Sequence, residues 1–459
     1  MSKNDEGLNR GLKSRHIQMI AIGGSVGVGI FLASAKMIQL SGPSILLTYG
    51  IVGLMVYFIM RSLGELAVFK PISGSFSAYA NDYLGDYMGY LTGWSYWLLW
   101  CFGVMVETIG IGKYMKFWFG EMVPGWIWAF FALLILTLIN LINVKLFGEI
   151  EFWFSIIKVV TILALIAIGF LIIVYAYFFG GFKGVGFFNL WKHGGFFPKG
   201  MSSVLMAIGP VSIAFIGVEA IGLTAGETQN PSETLPKAID SVLFRILLFY
   251  IGSLMVMMSL FPWNQLDPDV SPFVLTFEKI GLKSAAGIIN FVILTAAFSA
   301  CNSGIFSSSR MLLTLQNQKN APVFLGKINS KKIPIFSVLF SSFFMLLGVL
   351  IYFKFPNKAF DIVFSMCGVV GFFIWAIILI TQIKFRKSLN NDELLNLKYK
   401  SLWFPLTNYL GLLFLFIVLV TCLFDLNFRI SFIIFIAWIV VLTLFYYLKN
   451  WFIKIRARI

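Results

Sequence analysis

Three charged residues lie where charge is expensive: Glu107, Lys158 and Glu219 each fall inside a long apolar run. An ionisable side chain in mid-membrane costs about 2.5–3.5 kcal/mol on insertion scales, so each should face a cavity, water or a partner. Glu219 sits in FIGVEAIGLTAGE (215–227), flanked by Gly217 and Gly222. A second stretch, GGSVGVG (23–29), holds four glycines in seven residues and interrupts the apolar run 16–40. Both stretches should unwind a helix. In hydrocarbon, freed backbone groups survive only against protein, water or a ligand. The N–H groups that open the second half of the first helix, around Ser25, Gly27, Val28 and Gly29, carry the positive end of its dipole and suit a carboxylate. Carbonyls that close the first halves, near Ile22 and Phe215, suit an ammonium. Together they describe a site for a zwitterionic amino acid. Taken alone, GGSVGVG reads equally well as a close-packing seam of small residues; its counterpart around Glu219 favours binding.

Further stripes could complete such a site. Tyr96, Trp100, Gly103 and Glu107 recur on one helical face, either as a wall of the substrate cavity or as a packed face that gives Glu107 a neighbour to bond. Glu151, Ser155, Lys158 and Thr161 form a second stripe. Lys158, about 10 Å along the helix from Glu151, either snorkels to the helix end or faces a partly wet interior and carries a coupling proton with Glu219. Thr295, Ser299, Asn302 and Ser303 share a side, and such hydroxyls also back-bond to their own helix. Arg245 and Arg310 lie near predicted cytoplasmic ends and read as topological. Cys101, Cys301, Cys367 and Cys422 have no CxxC spacing and should be buried thiols. His16 and His193 have no partners at metal spacing, so no metal or cofactor is expected. No GxSxG, HExxH or P-loop motif occurs, which argues against an enzyme and against ATP-driven transport within this chain.

The elements that must position these residues are membrane helices. The chain has 459 residues, 59% hydrophobic and 12% charged, with a mean hydropathy of +0.89. That composition places it in a lipid bilayer. Its net charge of +15 is scattered in short clusters between apolar runs, so nucleic acid is not an expected partner. Twelve runs of spanning length follow one another, at about 16–40, 44–69, 87–119, 124–143, 151–179, 203–228, 237–261, 284–314, 333–354, 359–384, 405–424 and 429–452. Lys and Arg favour the amino-terminal side by roughly two to one, which puts both termini in the cytoplasm. The first run is too long for a signal-peptide core and is expected in the mature protein. The segment 182–200 should be extracellular and 384–400 a solvated cytoplasmic connector. Glycine breaks in the first and sixth spans fall at the same place in two five-span halves, the sequence pointer to an inverted-repeat transporter. One transmembrane domain, 1–459, is expected; oligomeric state is not legible.

Several motifs then combine: GLKSRHIQMIAIGGSVGVGIFLASA (11–35), SLGELA with PISGSF (62–76), NVKLFGEIEFWFSIIKVV (143–160), AGETQNPSETLPKAI (225–239), RILLFYIGSL (245–254), SPFVL (271–275) and SSSRML (307–312). In this order the chain resembles the amino acid permeases of the APC superfamily, more narrowly the bacterial aromatic amino acid, GABA, proline and lysine permease group. The resemblance implies an all-α protein of twelve transmembrane helices with a LeuT-type 5+5 inverted repeat (16–179 and 203–384), broken helices one and six, and two further helices in 405–452. It implies a proton-coupled amino acid symporter of the inner membrane. The substrate carboxylate would sit on Ser25, Gly27, Val28 and Gly29, and its amino group on carbonyls of Ile22, Phe215 and Ile216. The family also carries an acid at Glu219 and a lysine at Lys158, the latter standing where relatives bind sodium between helices one, five and eight. Two departures, Ile216 and Ala220, fall in the pocket region, and Glu107 followed by GIGKYMKFWF favours neutral or aromatic substrates. An exchanger without proton coupling is the nearest alternative; a transporter-like nutrient sensor is disfavoured by the small cytoplasmic connectors.

Overall fold

A chain this apolar must satisfy its backbone within each segment, and it does so with helices. The structure is a computed structural model that describes residues 27, 29–72, 75–142, 144–180, 182–223, 225, 230–268, 270–329 and 333–456. No strand occurs among the described residues. A single π-helical turn, Gly29–Ala33, leads into α1 (Ser34–Ser41). Pro43 lies in the 3₁₀ turn Gly42–Ser44, which bends the chain into α2 (Ile45–Phe69). There follow α3 (Ser75–Leu84), α4 (Asp86–Phe119), α5 (Gly125–Ile142), α6 (Val144–Phe179) and α7 (Met201–Ile213). The second part of the chain holds α8 (Ala220–Leu223), α9 (Pro231–Arg245), α10 (Ser253–Leu260), α11 (Pro272–Lys279), α12 (Lys283–Asn317), α13 (Ile335–Lys354) and α14 (Ala359–Ser388). Two last helices, α15 (Leu406–Cys422) and α16 (Leu426–Arg456), complete it.

Eight helical runs among the described residues are long and apolar enough to cross a membrane, against the twelve spans expected. The difference has local causes. The bend at Gly42–Ser44 leaves the first and second expected spans joined in one run, Gly29–Phe69. The sixth is cut short at Ile213, and the seventh is divided by a π-helical stretch, Ile246–Gly252. The eleventh, α15, has 17 residues.

Helix α4 is the axis of the packing: 89% of its apolar window is buried, against 17% for α16. It packs most extensively on α12 and also on α14, α3, α5 and α13. Helix α16 turns side chains such as Ile433 and Leu444 outward, as a lipid-facing helix does. Helix α14 is pinned at both ends. Near its start, Asp361 pairs with Lys36 of α1 at 2.7 Å. Near its far end, Arg386 makes a two-pronged pair with the fully buried Glu65 of α2, which also accepts the Ser401 N–H. Beside it, Arg61 pairs with Asp240 at 2.7 Å and lies 4.0 Å over the Tyr399 ring, whose hydroxyl donates to the same Asp240.

Candidate substrate site

The break after α7 is built from two local causes. Pro210 removes an N–H from the last turn of α7. Gly217 adopts φ +107°, a conformation that a side chain would strain. Between them the helix tightens into turns that reach three residues back: the N–H groups of Phe215, Ile216, Val218 and Ala220 donate to the carbonyls of Ser212, Ile213, Phe215 and Gly217 at 3.1, 3.0, 3.3 and 3.1 Å. The Tyr250 hydroxyl donates to the Ala214 carbonyl at 3.0 Å. The carbonyl of Ile216 accepts none of these bonds. Glu219, 1% exposed, folds back on its own break: its carboxylate oxygens accept the Gly217 N–H at 3.1 and 3.0 Å, and one also accepts the Trp375 indole N–H at 3.3 Å. The carboxylate thus serves as an acceptor that the unwound backbone lacks.

The described part of the first break starts at Gly27, whose carbonyl accepts the N–H groups of Ile30 and Phe31 at 3.2 and 3.4 Å. A methyl on Gly29 would stand 3.0 Å from the Ala214 Cα, and a methyl on Gly27 would overlap the Glu107 carboxylate. Gly29 thus closely approaches the turn at Ala214, and Gly27 the Glu107 carboxylate of α4. Around this meeting point lies a cavity with about 690 Å³ of empty space, part of it open to solvent.

Of the residues expected at the site, Gly27, Gly29, Trp100, Glu107, Ile216 and Glu219 line this one cavity, joined by Gly103. Ile22, Ser25 and Val28 lie outside the described residues. Tyr96 does not line the cavity. It is fully buried and stands behind Trp100, edge-on to it at 5.8 Å and to Phe76 at 4.5 Å. Phe215 points away as well, its ring 4.7 Å from Tyr250 and 5.9 Å from Tyr49, so its side chain belongs to the core. Lys158 is fully buried on α6 and is not a lining residue, although the Cys301 thiol of α12 lies within electrostatic reach of both Lys158 and Glu107. Nearby, Asn140 of α5 and Asn302 of α12 are hydrogen-bonded at 2.9 Å. The side chain of Glu151 is outside the described residues.

The sequence reading missed the contributions of α12 and α14: Ala300, Phe364 and Cys367 line the cavity and Trp375 holds Glu219. A signal existed for Trp375, since an indole deep in an apolar span needs an acceptor for its N–H. Among the described lining residues, Glu107 and Glu219 are acidic and none is basic. An ammonium fits such a site directly, and a carboxylate needs the backbone of the first break.

Comparison with known proteins shows the family. The family model for amino acid permeases matches residues 16–458. The chain is 50% identical over 457 residues to an uncharacterized amino acid permease, YtnA, of Bacillus subtilis (strain 168), covering 100% of this chain and 98% of the relative. It is 45% identical over 440 residues to a probable threonine/serine transporter, YbxG, of the same organism, with 96% and 95% covered. It is 40% identical over 456 residues to the aromatic amino acid transport protein AroP of Escherichia coli (strain K12), with 98% and 97% covered. These relatives are transporters rather than enzymes, and their names are those of a permease and two transport proteins. The chain is a multi-pass membrane protein and belongs to the amino acid permease family.

Proposed function

We propose that this protein imports an amino acid across the inner membrane by proton symport, through alternating access around the two breaks. The observation that carries the reading is the meeting of Gly27 and Gly29 with the Ala214–Glu219 turn at one cavity. In this reading the chain has twelve spans, both termini in the cytoplasm and a 5+5 inverted repeat, with the first span ending in Gly29–Ser41 and the sixth formed by α7, its break and α8. The substrate carboxylate sits at the start of the helical run with Gly27 and Gly29, where unpaired N–H groups and the helix dipole favour it. The ammonium sits between the Ile216 carbonyl and Glu107.

Proton coupling rests on Glu219 and Lys158. When ionised, Glu219 holds the Gly217 N–H and the Trp375 indole; a charged acceptor makes hydrogen bonds about twice as strong as a neutral one. Protonation weakens that hold and frees the break to change shape. The ion pairs at the two ends of α14 then alternate: opening outward separates Lys36 from Asp361, and opening inward separates Arg386 from Glu65.

A thermal-shift panel of the twenty amino acids and GABA on purified protein tests the substrate reading. One or a few neutral amino acids should raise the unfolding temperature. A protein stabilised by none of them would contradict capture at the breaks. In vesicles, uptake driven by an imposed pH gradient alone supports symport, whereas uptake that needs internal amino acid contradicts it.

A further inference from the structure

Gly103 differs from the other glycines around the cavity. Methyl groups on Gly27, Gly29, Gly304 and Gly371 would press on Glu107, Ala214, Val104 and Ile216, respectively, so those glycines permit close packing. Among the described residues, a methyl on Gly103 would meet no heavy atom within 4 Å. Yet Gly103 belongs to α4, the most buried of the long apolar helices. Interiors are packed to near crystal density, and an unfilled face forfeits dispersion contacts on the side that faces nothing. Empty space at this position is therefore room for something that comes and goes.

Its place along α4 says what. Gly103 is four residues, about 6 Å of helix rise, from Glu107, whose carboxylate abuts Gly27. A substrate whose charged groups lie at the Glu107 and Gly27 level has to send a side chain about one helical turn to reach Gly103. The walls that share the cavity there are apolar: Trp100, Val104, Ala300 and Phe364. We infer that Gly103 is the floor of a side-chain subsite, and that it selects neutral amino acids with large apolar side chains, of leucine to phenylalanine size. This rests on the amino acid reading above and adds the substrate class and the residue that sets its size limit.

The test uses the full-length purified protein and measures the affinities of alanine, leucine, phenylalanine and arginine for the wild type, Gly103→Ala and Gly103→Val. The wild type should prefer leucine or phenylalanine. In Gly103→Val those affinities should fall about tenfold or more, the discrimination that a methylene or two achieves in an apolar pocket, while alanine stays within about twofold. Gly103→Ala should fall between. Because a Cβ at this position meets no described neighbour, Gly103→Ala should keep the wild-type unfolding temperature, and it remains informative if the valine variant does not fold. Equal loss for all ligands, an unchanged order of affinities, or a wild type that prefers alanine or arginine would overturn the subsite. A wild type that binds no amino acid would overturn the substrate reading itself.

Discussion

The two breaks are made differently. The first contributes backbone: Gly27 and Gly29 closely approach Glu107 and Ala214, and in the proposed reading its binding capacity lies in N–H groups at the start of a helical run. The second carries its own acceptor, since Glu219 returns to the Gly217 N–H two residues back and reaches across to Trp375 on α14. A break with a built-in carboxylate is satisfied without substrate and can be altered by one proton. In the proposed reading a break made of glycine is satisfied by the substrate, so that the first break serves binding and the second switching.

Substitutions at the two breaks should therefore fail in different ways. Gly27→Ala and Gly29→Ala should have the largest effect on binding, lowering substrate affinity by tenfold or more, about 1.4 kcal/mol or above, as read by calorimetry. A Gly29→Ala protein that binds normally would show that the first break does not need its close approach to Ala214. Glu219→Gln, a mimic of the protonated acid, should leave binding within a few-fold. Accumulation driven by an imposed pH gradient should drop about tenfold, the size of a typical charged hydrogen-bond loss, and its pH dependence should flatten. Trp375→Phe removes one donor from the carboxylate and should have the same signature several-fold more weakly. If Glu219→Gln and Lys158→Ala both accumulated substrate with normal pH dependence, the assignment of coupling to these two residues would fail.

Much of this was legible from residue types alone. Hydrophobic length marks the helices, and glycine with a buried acid marks the break after α7, because the penalties for unwound backbone and for charge in hydrocarbon are large. Helical spacing grouped Tyr96, Trp100, Gly103 and Glu107 on one face of α4, a regular helix throughout, and the last three of these line the cavity while Tyr96 packs behind them. It gave no guide to Phe215. Within the 214–219 turn the bonds reach three residues back, the 3.6-residue period no longer applies, and the ring turns into the core beside Tyr250. Partners distant in the chain were equally out of reach. Trp375 meets Glu219 across 156 positions, and spacing carries no information about that pairing. The span count shows the same limit: the bend at Gly42–Ser44 and the π-helical stretch Ile246–Gly252 alter helices without altering their hydropathy.

The central claim is that the first break holds a carboxylate. It is tested most directly by comparing, on the purified protein, the affinity of the best amino acid from the panel with that of its carboxamide, which keeps the ammonium and the side chain. The expected result is a loss of about a hundredfold or more for the amide, since a charge-assisted contact to the helix start is replaced by a neutral one. Equal affinities for the two would contradict it.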